Sequence, residues 1–423
     1  MGRIKDQINA ANKLSIEKIL ESQPLLVDVK PAFEVIPGLK KNKFLHAGPP
    51  IQLDKICGPH IGSLIGAILF EGLAETPAQA KKMIDNFEVE IEPAHHFHAV
   101  AGAGHMISAS QPLFVVFDKV HRSYAYTHMK EETFKALRYG VYDDNVIRKL
   151  NWLKDKVTPA LRSALKEADG IDMRALISKS IMMGDDGHNR CQASTALFGK
   201  MIIPMLFRAD VSRELISDIA HLLDYDDNWM LYPIMAACKL VLESGHNIKN
   251  STVVTTMARN GVEFGIRVSG LGDRWFTAPA RHVQGSYFPG YTSKDACPDL
   301  GDSCITETAG IGGFAMAASP ALIQFGTATG IGGTVKDAIL YTKEMYEITL
   351  TKNSSYPIPY LDFIGTPTGI DVIKVVETGI EPIINTSITH KKPGFGQIGA
   401  GLVRAPIDCF NKAIEELGKE LGI

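Results

Sequence analysis

The chain lacks most of the signatures that assign a protein at a glance. No two of its six cysteines form a C-x-x-C pair; Cys57, Cys191, Cys238, Cys297, Cys304 and Cys409 are widely and irregularly spaced. In a chain of 423 residues this argues against a disulfide scaffold and predicts reduced thiols in a reducing, cytoplasmic compartment. No stretch of about 18 apolar residues occurs, so no membrane span is expected. The richest apolar run, IGSLIGAILFEGLA, is interrupted at Glu71. The opening MGRIKDQINAANKLSIEKIL has no apolar h-region and does not read as a signal peptide. There is no G-x-S-x-G nucleophile elbow, no G-x-x-x-x-G-K-[ST] phosphate loop and no H-E-x-x-H zinc motif. Neither sign of charge dominates. The net charge is −3 and the basic residues are scattered, which leaves no footprint for nucleic acid or an acidic membrane surface.

What is present is a well-stocked core, with 45% hydrophobic against 22% charged residues, in a length that suggests two or three domains. Texture divides the chain into three zones, an α/β (mixed α+β) multi-domain arrangement in which two mixed parts flank a helical middle. Zone 1–145 mixes helices with strands such as LLVDV, FEVEI and PLFVVFD. The last is apolar on both faces, as a central strand would be. Thr76 and Pro77 read as an N-cap and first-turn proline opening a helix. Zone 146–250 is almost purely helical, with Leu, Ile and Met at three- and four-residue steps. Zone 251–423 is glycine-rich and mixed again, with strands at EFGIRVS and EPIINTSI and helices over 334–350 and at the C-terminus.

Four constellations could carry chemistry. In NGVEFGIRVSGLGDRWFTAPA, Asn260 to Ala280, five polar or charged residues interleave with four glycines. Strand alternation puts Glu263, Gly265, Arg267 and Ser269 on one face and Phe264, Ile266 and Val268 on the other. Arg267 and Arg274 could then clamp a phosphate or carboxylate bidentately, beside backbone bared by Gly270 and Gly272. In GDDGHNRCQAS, Gly184 would end one helix and Asp185 or Asp186 would cap the next. His188, Asn189 and Arg190 would then fall in its first turn, where unpaired amides favour an anion. EPAHHFHAVAGAGHMIS holds His95, His96, His98 and His105, and a strand would put His96 and His98 on one face of a substrate cleft. Their spacing matches no zinc motif. Finally, ETAGIGGFAMAASPA sets Glu307, Gly312 and Gly313 before an apolar helix, and HKKPGFGQIGAGLVRAP ends on Arg404; both read as glycine turns able to cradle an anion. A second GIGG occurs at Gly330–Gly333.

MGDDGHNR, NGVEFGIRVSGLGDRWFTAPA, AGIGGFAMAASPA, TGIDVIKVVETGI and GQIGAGLVRAP together resemble the YlbE-like family, over most of the chain from about residue 24. That family has been linked to a subunit of oxamate carbamoyltransferase, encoded beside FdrA-like proteins that resemble acyl-CoA synthetase subunits. The resemblance implies a multi-subunit transferase of purine (allantoin) nitrogen breakdown, which interconverts oxalurate plus phosphate with oxamate plus carbamoyl phosphate. It implies small anionic substrates, an FdrA-like partner, a homo-oligomer and no cofactor. This chain departs from the family pattern at Asp186–Gly187 and Cys191. It also lacks the S-T-R-T-R phosphate loop of aspartate and ornithine carbamoyltransferases, so any transfer would use a different site or one shared with partner chains.

On this reading the catalytic candidates are His188 and Glu263 for the amide proton and Arg267 and Arg274 for the anion. The substrate-binding candidates are Asn189, Arg190, Asn260, Gly270, Gly272, Asp273, Gly312, Gly313, His96, His98 and Arg404. Two alternatives stay open: a self-sufficient lyase or amidohydrolase acting on a small carboxylate, and a non-catalytic scaffold that holds the FdrA-like partner through the helical zone.

Overall fold

A computed structural model describes residues 2–323 and 334–422. The second GIGG, Gly330–Gly333, lies outside the described residues. The architecture is mixed α/β. Its central feature is a five-stranded sheet in the spatial order Ala99–Val100, Tyr124–His128, Pro112–Asp118, Pro24–Pro31 and Ile171–Asp172. PLFVVFD is the middle strand, antiparallel to both neighbours, with Leu113 to Val116 buried on both faces. A strand with no polar face can sit only where both faces are covered. The helices Thr158–Glu167, Met173–Met182 and Leu231–Ser244 pack against this sheet. Trp229 lies fully buried between Phe114 and Phe198, with ring centroids 5.1 and 5.3 Å away. One apolar core therefore runs from Ile16 through these helices to Ile358 and joins residues of all three sequence zones.

The glycine-rich zone forms a second core under antiparallel pairs. Val254–Asn260 and Glu263–Val268 make a hairpin, flanked by Phe276–Pro279 on one side and Leu300–Gly301 on the other. Its turn needs Gly261 at φ +78, a left-handed conformation that costs glycine least. Ile383–Thr389 pairs with Gln397–Arg404, and that strand with Gln284–Tyr287. The amphipathic helix Ile407–Leu421 closes over the hairpin sheet. In the first zone Lys43–His46 pairs parallel with Glu90–Pro93 and antiparallel with Met106–Ile107.

Local signals held where a specific hydrogen bond stands behind them. Thr76 accepts from the Gln79 amide while the Gln79 side chain returns to the Thr76 amide, and Pro77 opens the helix Pro77–Asp85. Four expectations are corrected. FEVEI becomes a strand only from Glu90. The histidine run 94–97 is a single 3-10 turn, with His98 left-handed at φ 55, so His96 and His98 share no strand face. GGFAMAA, Gly312–Ala318, is a kinked 3-10 stretch and not an α-helix. QIGAGLVR, Gln397–Arg404, is a paired strand rather than a glycine turn, because its backbone is taken up by sheet partners on both sides.

Candidate functional site

The helix Met173–Met182 ends before Gly184, whose φ of +102 turns the chain, and the next helix begins only at Gln192. Two buried aspartates organise the loop between them. Asp185 caps the second helix from a distance, accepting from the amides of Ala193 (3.1 Å) and Ser194 (2.8 Å). Asp186 accepts from the amides of His188 (3.0 Å) and Arg190 (2.8 Å) and from the side chain of Asn385. Burial outweighs these hydrogen bonds and pushes Asp185 up to about 6, with Asp186 raised as well. The expected set of unpaired amides at a helix start is thereby corrected. They are already satisfied from within, that of Cys191 by Asn228 at 2.8 Å. The loop offers side chains instead.

The first of these is His188, almost fully buried, whose Nδ1 lies 2.8 and 3.0 Å from the two carboxylate oxygens of Glu307. Glu307 is itself sealed from solvent and is held by the Gly313 amide (2.8 Å) and the Thr306 hydroxyl (3.0 Å). Gly312 allows this approach: at φ +62, a β-carbon there would stand 2.4 Å from the Glu307 oxygen. The glycine turn is indeed an anion cradle, and the anion is the protein's own carboxylate. With Nδ1 engaged, Nε2 makes no hydrogen bond to any described residue, so the Glu307 bond fixes the ring and leaves one nitrogen for other chemistry.

His188 lines a cavity of about 550 Å³. Its polar wall brings together Asn189, Arg190, Asn228, Lys130, Arg138, Tyr232, Asn385 and Ser387; Leu231, Met316, Leu322 and Leu402 form an apolar side. Lys130 is buried against Asp226. Burial brings its ammonium down to about 8, partly offset by that aspartate. Arg138 grips the carbonyls of Glu132 and Thr133 and lies 4.5 Å over the Tyr139 ring, which holds a permanent cation in the wall. Arg190 is held loosely, 3.8 Å from Asp185. The carbonyl oxygen of the Asn385 side chain is buried without a hydrogen-bond partner.

The structure does not bring the 260–280 block to this cavity. Asn260 closes its own hairpin, accepting from Val262 (3.0 Å) and Glu263 (2.7 Å) and donating to the Pro49 carbonyl. Glu263 accepts from Thr277 at 3.0 Å. The alternation expected for Glu263–Val268 is present, but the polar face is buried too. Arg267 pairs with Asp273, donates to His246 (2.9 Å) and lies 5.8 Å over Trp275. Burial first and Arg267 second bring His246 down to about 3, so it stays neutral and accepts. Arg274 is tied to Glu416 and Glu420, both at 2.7 Å. Gly270 is needed where the chain crosses Ser251, and Gly272 turns at φ +62. Elsewhere, His96 accepts from Trp275 (3.0 Å), His98 meets Glu243 (2.6 Å), and Arg404 meets Glu344 (2.6 Å). None of these lines the cavity. Among the described residues no cluster of three or more His, Cys, Asp or Glu could hold a metal, and no helix is long and apolar enough to cross a membrane.

Lys130, Arg138, Asn228, Tyr232, Asn385 and Ser387 were missed as site residues. One signal was available. Asn385 and Ser387 stand at alternate positions of one strand, which places two polar groups on the same face.

Fold and cavity define a mixed α/β protein with a carboxylate-anchored histidine opening on a polar chamber. The chain belongs to the family of the oxamate carbamoyltransferase subunit AllG, whose model matches residues 89–303. It is 43% identical over 415 residues to "Oxamate carbamoyltransferase subunit AllG" of Escherichia coli (strain K12), covering 98% of each chain. It is also 43% identical over 411 residues to "Uncharacterized protein YahG" of the same organism, covering 97% of this chain and 86% of that one. A crystal structure of a conserved protein of unknown function from Enterococcus faecalis V583 superposes with a TM-score of 0.94 at 43% identity, covering 98% of both chains. The resemblance drawn from the motifs to a family linked with this transferase is borne out.

Proposed function

We propose that the chain is a carbamoyltransferase subunit whose cavity binds a small anionic substrate and in which His188 moves the proton that transfer requires. In the phosphate-dependent direction, a phosphate oxygen bonds to the carbamoyl carbon of oxalurate and the bond from that carbon to nitrogen breaks. The nitrogen takes a proton and leaves as the amide of oxamate. Three demands follow: cations for carboxylate and phosphate, a proton carrier at the leaving nitrogen, and donors and acceptors that orient the planar ureido group. Arg190, Lys130 and Arg138 meet the first. Nε2 of His188 meets the second, with Glu307 as its positioning residue. Asn385, with an unpartnered carbonyl oxygen, and Asn189 meet the third. The family relationship supports the transferase reading. The observation that carries it is the His188–Glu307 pair opening on a chamber lined by Lys130 and Arg190.

This reading includes an FdrA-like partner subunit, a homo-oligomeric state, a cytoplasmic location and a place in allantoin nitrogen breakdown. It retains the zones 1–145, 146–250 and 251–423 as domains joined by a shared core. The test is carbamoyl phosphate formation from oxalurate and phosphate by the chain reconstituted with its FdrA-like neighbour. His188→Ala is expected to lower kcat by roughly 10²–10⁴-fold when assayed below its melting temperature, which is itself expected to fall because the buried Glu307 carboxylate loses its partner. A complex that turns over normally with His188→Ala removes this histidine from the reaction.

A further inference from the structure

The loop from Gly48 to Gly58 and the segment around Cys297 meet behind the hairpin turn at Gly261. Both sulfurs converge there. A side-chain carbon built on Gly261 would stand 2.7 Å from the Cys57 sulfur and 3.3 Å from that of Cys297. Cys57 is half-buried and stands immediately before the thirteen-residue helix Gly58–Phe70. Cys297 is buried, and its sulfur lies 4.0 Å from the Gly261 carbonyl, to which its thiol donates. His60, one turn into the helix, is fully buried, and neither of its ring nitrogens has a hydrogen-bond partner. The reaction assigned to the cavity uses none of these groups.

We propose that Cys57 and Cys297 form an oxidation site, in which Cys57 is the nucleophile toward a peroxide and Cys297 resolves the product as an intramolecular disulfide. In the first step the Cys57 thiolate attacks one peroxide oxygen and the O–O bond breaks. The sulfur becomes a sulfenic acid and the second oxygen leaves as water after protonation. In the second step the Cys297 sulfur attacks the Cys57 sulfur, the S–O bond breaks, and a second water departs with the Cys297 proton. Two thiols are oxidised by one peroxide, which is reduced to two waters.

The surroundings divide the roles between the thiols. Burial opposes the Cys57 thiolate, but the nearness of the Cys297 thiol and of His60 outweighs it and holds Cys57 well below the usual thiol range. The same contact with Cys57, together with burial, pushes Cys297 up. One sulfur is thus poised to attack and the other to wait. The remaining cysteines offer no such pair: burial raises Cys191, Cys238, Cys304 and Cys409.

The bridge would join two walls of the cavity. The helix that follows Cys57 packs through Pro59 and Gly62 onto Gly140, two residues from Arg138. The Cys297 amide bonds the Thr389 carbonyl at 2.9 Å, at the end of the strand that carries Asn385 and Ser387.

The test is non-reducing peptide mapping by mass spectrometry of the full native chain treated with hydrogen peroxide. A Cys57–Cys297 linked peptide is expected, reversed by dithiothreitol. Cys297→Ser is expected to abolish the link and leave a sulfenic acid at Cys57 that dimedone traps. Iodoacetamide is expected to label Cys57 roughly tenfold faster than the other five thiols at neutral pH. The proposal is overturned if native chain and peroxide give no Cys57–Cys297 link, or if Cys297→Ser gives no dimedone adduct at Cys57. These readouts need no activity, so they stand apart from the fate of the transferase reading.

Discussion

Two segments of this chain look equally functional as text. GDDGHNR and the block from Asn260 to Ala280 both crowd charges against glycines, and the structure separates them by where the charges go. In the block they go inward or to each other: Arg267 to Asp273 and His246, Arg274 to the C-terminal helix, Asn260 to its own turn. In the loop the aspartates absorb the backbone amides, and the side chains of His188, Asn189 and Arg190 are left to line a cavity. Charge density in a sequence therefore reports ion pairing as readily as ligand binding. What distinguishes the loop is a partner far along the chain, Glu307, that engages one end of a histidine and leaves the other end unpaired.

That contrast can be broken in several places. After His188→Ala itself, the largest effect is expected at Gly312→Ala. The new methyl group would meet the Glu307 oxygen at 2.4 Å, on a backbone at φ +62 that alanine resists. Displacing the carboxylate frees the His188 ring, and kcat in the reconstituted complex is expected to fall roughly 10²-fold. Glu307→Gln keeps the shape and is expected to lower kcat less, with KM for oxalurate unchanged. Next is Arg267→Ala, which removes a side chain 3% exposed and strands the His246 acceptor. Calorimetry is expected to show about 2–3 kcal/mol of lost stability, with oxamate affinity unaltered. A changed affinity at normal stability would return the block to the site.

A smaller effect is a pH step. Oxamate keeps one charge between pH 6 and 10, so a change in its affinity over that range reports on the protein. Lys130 is charged below its value of about 8 and neutral above it. Oxamate binding measured by titration calorimetry is therefore expected to weaken as pH rises through about 8. The change is on the order of 3–10-fold, because Arg138 and Arg190 stay charged. Lys130→Met is expected to flatten the step; a step that persists in that variant assigns it to another group. The smallest effect is expected for Arg274→Ala, which opens an exposed pair of the kind that contributes little. Its melting temperature and turnover should both stay near those of the unaltered chain.

Much of the fold was legible where one short-range rule decides it. PLFVVFD announced a central strand by having no polar face, and Thr76–Pro77 announced a helix start through a capping box. The helices of 146–250 followed from their periodicity. The errors arose where glycines mark several structures at once. Gly312–Ala318 reads as the start of a helix but bends to receive Glu307, and Gly399 and Gly401 read as a turn but lie in a strand, where a β-carbon would meet the facing backbone within 2.1 Å. At the site, His188, Asn189 and Arg190 were visible because three polar residues in succession exceed what a helix cap needs. Lys130, Arg138 and Asn228 were not visible, since no local pattern links residues so far apart in the chain that meet only in the folded cavity wall.

The central claim is that the anionic substrate binds in the His188 cavity and not on the Asn260–Ala280 block. A crystal structure of the chain soaked with oxamate tests it most directly. The account predicts oxamate density within hydrogen-bond distance of Arg190 or Lys130, with its amide toward Nε2 of His188. Oxamate bound at Arg267, Arg274 or Trp275 with the cavity empty would contradict it.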